Sequence, residues 1–156
     1  MRTDVILLSH GSRAPEAREY FLELSGVVKT LTGWPNVEPA FMELCEPSLA
    51  QAVDARVAAG AEQIVVLPCF LHPGRHLIHD IPRLMAEAQA RHPTVPLILA
   101  DRIGTHPDLA RLIGECVTQA LNAEASAPAA LCPGCLNPDC KHREQKARLL
   151  TGSAPL

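Results

Sequence analysis

The sequence predicts an α/β fold: a doubly wound, four-stranded parallel sheet with helices on both faces. Three observations carry that expectation. Four short apolar runs, 5–8, 37–42, 64–67 and 95–99, are each bounded by turn residues. Segments with helical periodicity follow each run. The runs are nearly continuous rather than alternating, the pattern of strands buried on both sides, and right-handed crossovers then place a helix after every strand.

The first strand, Val5 to Leu8, leads into Ser9-His10-Gly11-Ser12-Arg13. Gly11 permits a tight turn, and Ser12 reads as the N-cap of a helix over 15–31. The second, Val37 to Met42, is followed by Glu43-Leu44-Cys45-Glu46 and a helix over 47–59. The third, Ile64 to Leu67, opens a long loop from Pro68 to Asp80, with a helix over 77–91. His92 closes that helix, where the negative end of the helix dipole suits an imidazole. The fourth, Val95 to Leu99, leads through Asp101-Arg102-Ile103-Gly104-Thr105-His106 to a helix over 107–121. Three of the four helices open on a proline, which fits a first helical turn.

Residues 1–121 therefore read as the domain, 122–130 as an Ala/Ser/Pro-rich linker and 131–156 as a Cys-rich basic tail. The tail carries Lys141, Arg143, Lys146 and Arg148 against Asp139 and Glu144, although the whole chain has a net charge of -3. That acidic balance argues against a nucleic-acid surface. With 47% hydrophobic but only 3% aromatic residues, the core is expected to be aliphatic. No run reaches the roughly 20 apolar residues of a membrane span, and the N-terminus lacks a signal-peptide layout, so a cytoplasmic protein is expected.

Ligands in such sheets bind at the carboxyl ends of the strands, and three of the four loops there contain histidine. His10 stands at the first strand end. The third loop holds His72, then His76, His79 and Asp80, whose i, i+3, i+4 spacing lines one face of a starting helix. A solvated helix N-terminus is the plainer alternative. Imidazole suits Co, Ni, Fe and Zn, and a site that passes its ion on needs few ligands and open positions. Cys45, Cys69 and Cys116 lie in apolar segments and read as small buried hydrophobes. Cys132, Cys135, Cys140 and His142 supply three thiolates and an imidazole, enough for a Zn2+ site or most of an iron-sulfur cluster, with a tail of unligated thiols as the alternative.

Four motifs in order give a specific resemblance. They are Leu8-Ser9-His10-Gly11-Ser12-Arg13, Ala40 through Ser48 with Glu43 and Glu46-Pro47-Ser48, Gly74-Arg75-His76 with Asp80-Ile81-Pro82, and Ile103-Gly104-Thr105-His106-Pro107. The chain resembles the small sirohydrochlorin chelatases, the cobalt- and iron-inserting relatives of ferrochelatase, across about residues 3–121. The resemblance implies insertion of Co2+ or Fe2+, with Ni2+ a further candidate, into sirohydrochlorin for cobalamin or sirohaem synthesis. It implies that His10 and His76 bind the incoming ion and that two copies pair as a homodimer. Two pyrrole N–H protons must leave, and Glu43, matching a recurring family glutamate, is the candidate base or metal relay, with an indirect supporting role as the alternative. Arg13, Arg75 and Arg102 are candidates for the macrocycle's carboxylates, with solvated loop residues as the alternative. His106 belongs to a family motif, with a capping role as its alternative. The tail departs from the minimal small chelatase.

Two rival functions remain at this level. A histidine-nucleophile phosphatase needs an arginine before its catalytic histidine, and Ser9 stands there instead. A metal or tetrapyrrole carrier would use the same histidines without driving insertion.

Overall fold

The computed structural model describes residues 2–72, 74 and 76–124, with the side chains of 76, 77, 123 and 124 outside the description. The elements run β1 (Thr3–Ser9), α1 (Pro15–Thr32), β2 (Val37–Phe41), α2 (Leu49–Ala58), β3 (Gln63–Pro68), α3 (Ile81–Arg91), β4 (Leu97–Leu99) and α4 (Asp108–Glu124). A π-helical turn, His76–Asp80, precedes α3, and a 3-10 turn, Ile103–Thr105, follows β4. The four strands form one parallel sheet in the order β2-β1-β3-β4. The chain divides into two compact units at His106/Pro107, the first holding the sheet and α1 to α3, the second beginning with α4.

β1 is central, and its three consecutive residues Ile6, Leu7 and Leu8 are buried because both faces of the sheet are covered. Ile6 and Leu8 join Ala40, Ile64 and Val66 under Leu49, Val53, Ile81 and Met85 of α2 and α3. Leu7, Val37 and Phe41 pack on the other face against Phe21 of α1, with the two phenyl rings 5.6 Å apart. Helices therefore lie on both sides, as expected. The core is aliphatic apart from this aromatic pair.

Asp4, near the start of β1, is fully buried. It accepts a hydrogen bond from Asn36 Nδ2 at 2.8 Å and pairs with Arg2 at 3.3 Å and Arg56 at 3.7 Å. A buried carboxylate needs such partners, and stranding one without them costs about 3–5 kcal/mol. This cluster marks the amino-terminal edge of the sheet, opposite the loops of interest.

Several element ends differ from expectation. Ser12 does not cap α1: the N-cap is Ala14, whose backbone N–H donates to Ser12 Oγ at 3.1 Å, so the serine closes the turn before the helix. α2 starts at Leu49, not at Pro47, because Ser48 and Gln51 form a reciprocal capping box. β4 is shorter than its apolar run, since Pro96 has no N–H for the ladder, although its carbonyl still accepts from Ile64. The segment before α3 is a π-turn, so the α-helical spacing argument for His76, His79 and Asp80 does not hold there. Pro82 offers the reason: lacking an N–H, it cannot donate to the carbonyl four residues back. Among the described residues no helix is long and apolar enough to cross a membrane.

Candidate active site

The ladder between β1 and β2 continues beyond the strand ends. Met42 N–H donates to Ser9 O at 2.9 Å, and Glu43 N–H donates to His10 O at 3.1 Å. Extended pairing of this kind brings the first two loops side by side. His10 Nε2 lies 3.4 Å from Glu43 Oε1, with the two side chains 38% and 51% exposed. An imidazole and a carboxylate so placed are open to solvent and close enough to share a proton or flank a common ion.

Gly11 makes that approach feasible. Its φ is +99°, and a Cβ there would stand 1.8 Å from the Glu43 carbonyl oxygen. Directly after Glu43 the chain turns sharply, with Cys45 N–H donating to Glu43 O at 2.8 Å around Leu44, whose φ is +66°. The bend turns the Cys45 thiol back to the first loop. Its Sγ lies 3.0 Å from Ser12 O and accepts from Ser12 N–H at 3.5 Å. From α1, the Arg18 guanidinium donates to the Glu46 carbonyl at 3.3 Å.

On the opposite side of β1, Cys69 N–H donates to Leu8 O at 2.9 Å, so the loop after β3 also leaves the sheet beside His10. The order β2-β1-β3-β4 makes β1 and β3 the pair from which the chain winds outward in opposite directions. The crevice at such a switch point is where open α/β sheets bind ligands. The third loop is in turn fixed to the fourth: Gly104 N–H donates to Phe70 O at 3.1 Å, and a Cβ on Gly104 would fall 1.7 Å from Leu71 O.

The expected site residues distribute as follows. His10 and Glu43 are brought together. The backbone of His76 opens the π-turn in the loop beside His10, but its ring lies outside the described residues, as do Arg75, Cys132, Cys135, Cys140 and His142. Arg13 is exposed on the first loop. Arg102 is half-buried after β4, and its buried Nε has no hydrogen-bond partner among the described residues. His72 and His79 are exposed, and His106 N–H donates to Ile103 O at 3.0 Å, closing the 3-10 turn. Among the described residues no cluster of three or more His, Cys, Asp or Glu is arranged to hold a metal.

The cysteines outside the tail are less buried than expected: Cys45 and Cys69 are half-buried and Cys116 is exposed. Burial pushes the Cys69 thiol up to about 11, which keeps it protonated and unreactive at neutral pH. Cys45 and Gly104 are the residues that sequence reasoning passed over. Their partners, Ser12 and Leu71, lie on other loops, and no local pattern announces such contacts.

The CbiX family profile matches residues 4–120. A chloroplastic sirohydrochlorin ferrochelatase of Arabidopsis thaliana is 37% identical over 118 residues, covering 76% of this chain and 52% of that protein. A sirohydrochlorin cobaltochelatase of Methanocaldococcus jannaschii is 40% identical over 88 residues, or 56% of this chain and 62% of the other. The chain thus spans between half and two thirds of the length of these curated relatives. Among solved structures, a cobalamin (vitamin B12) biosynthesis CbiX protein of Marinobacter aquaeolei superimposes with a TM-score of 0.72 at 35% identity, covering 80% of this chain and 99% of that one. The sirohydrochlorin chelatase SirB of Bacillus subtilis, in complex with cobalt, gives a TM-score of 0.65 at 25% identity, covering 100% of this chain and 64% of that one.

Proposed function

The chain belongs to the CbiX family, and from that premise we propose that it is a sirohydrochlorin chelatase, a lyase-class enzyme that inserts Co2+ or Fe2+ into the macrocycle. The observation that carries this reading is the His10–Glu43 pair, 3.4 Å apart at the carboxyl ends of β1 and β2, with His10 also beside the third loop, which holds His76. His10 and His76 hold the incoming ion as neutral imidazoles, leaving its other positions free for pyrrole nitrogens. Glu43, open to solvent, accepts the two pyrrole protons in turn and releases each to water as the ion takes their place. Arg13, Arg75 and Arg102 receive the macrocycle's carboxylates.

Residues 1–121 hold all the motifs for this chemistry, and since α4 runs on to Glu124, three residues into the segment read as linker, the linker is shortened to 125–130. In the tail, Cys132, Cys135, Cys140 and His142 hold a Zn2+ ion or an iron-sulfur cluster. The enzyme is a cytoplasmic homodimer. Unpaired thiols at Cys45, Cys69 and Cys116 support a reducing compartment. Support for pairing comes from α4, where Leu112, Ile113, Val117 and Leu121 form an exposed apolar stripe.

The test is anaerobic incubation with sirohydrochlorin and Co2+, Fe2+ or Ni2+, following the absorption spectrum. Catalytic turnover is expected with cobalt or iron. His10→Ala and His76→Ala should each lower the rate by at least about 100-fold, and Glu43→Gln by about 100-fold or more. Stoichiometric binding without turnover would replace the enzyme reading with a carrier, and wild-type rates in both histidine variants would refute the residue assignment.

A further inference from the structure

We propose that Cys45 is a positioning residue whose thiol clasps the second loop to the first and so holds His10 and Glu43 in register. The inference rests on the chelatase reading for its catalytic consequence but not for its geometry. Three contacts define the clasp. The Cys45 Sγ–H donates to Ser12 O at 3.0 Å, the Ser12 N–H donates to the same sulfur at 3.5 Å, and Cys45 N–H donates to Glu43 O at 2.8 Å. The thiol thus reaches from the residue two after Glu43 to the residue two after His10, closing a loop around the pair.

The closure has work to do. Leu44 is held at φ +66°, a conformation that a branched-chain residue adopts only under constraint, and it remains 55% exposed. The Glu43–His10 backbone bond of 3.1 Å is the last rung of the extended β1–β2 pairing, where a ladder frays most readily. The Cys45 side chain closes that end, being half-buried and bonded to the facing loop. A carboxylate and an imidazole that drift by an ångström lose proton transfer far more than they lose binding.

The experiment compares Cys45→Ala and Cys45→Ser with the unmodified chain in the full-length protein. Amide hydrogen exchange of Glu43 should quicken about tenfold in Cys45→Ala while exchange in the middle of β1 is unchanged, and Cys45→Ser, which keeps a donor and an acceptor, should restore most of the protection. Insertion by Cys45→Ala should show kcat lowered about tenfold with KM for the tetrapyrrole unchanged, again with recovery in the serine variant. Unaltered Glu43 exchange in Cys45→Ala overturns the clasp whatever the protein's activity. Faster exchange with an unaltered kcat overturns its role in positioning. An unmodified chain that inserts no metal, yet shows the expected exchange pattern, retains the clasp and removes the chelatase reading alone.

Discussion

Replacing one hydrogen of Gly11 with a methyl group would drive a carbon to 1.8 Å from the Glu43 carbonyl at a backbone φ of +99°. No rotamer relieves a Cβ overlap, so either the turn opens or the second loop retreats. Gly11→Ala is therefore expected to lower stability by about 1–3 kcal/mol and to reduce insertion at least about 100-fold, because the shift falls on the His10–Glu43 pair itself. Thermal unfolding and an insertion assay on the same preparation check this; wild-type activity would mean that the two loops adapt independently. The need for a turn at Gly11 was legible from His-Gly-Ser after an apolar run. That the same glycine admits the second loop's backbone was not, since Glu43 lies 32 positions away and the approach exists only once β1 and β2 pair.

Between elements, α2 and α3 are joined at the surface by Asp54, which accepts from the His92 ring at 2.6 Å and from Arg91 at 3.3 Å. The His92 hydrogen bond chiefly, with help from the Arg91 charge, holds the Asp54 carboxyl below its ordinary value of 3.8. A depressed acid contributes stability above the unfolded pKa and loses it as pH falls through the folded one. Asp54→Asn should consequently flatten the acid-side decline in stability below about pH 4, while costing only about 0.2–1 kcal/mol at neutral pH, as expected of a solvent-screened pair. Urea titrations at several pH values test it, and an unchanged acid slope would rule out this contact. His92 illustrates how element ends were read in part. Its place at the helix end was legible, yet Asp54 belongs to another helix and left no trace nearby. The start of α2 was misplaced although Ser48 and Gln51 spelled out a capping box, because Pro47 offered a competing helix start.

Across the whole molecule, the order and type of the strands and helices were legible because β1 is buried on both faces and β3 is buried on one and half-buried on the other, so each shows an unbroken apolar run. What the sequence left open is what the second unit packs on. The α4 stripe of Leu112, Ile113, Val117 and Leu121 is more than half exposed at each residue, and Cys116 sits among them. If two copies pair through it, alkylation of Cys116, read by peptide mass, should slow as protein concentration rises, and Val117→Glu should yield a monomer in sedimentation. A concentration-independent rate with a monomeric unmodified chain would exclude that pairing. Deleting residues 126–156 should leave insertion by the core intact, since all four loop motifs precede the tail; a folded but inactive truncation would assign the Cys segment to the mechanism. Because the carbonyls of Ser9 and His10 receive the amides of Met42 and Glu43, and the Cys45 thiol ties off the end of that pairing, the backbone under the paired side chains is anchored to the strands beneath it. On the proposed chelatase reading, such a platform acts as an anvil, and the bending that lets an ion slip into a flat ring falls to the guest.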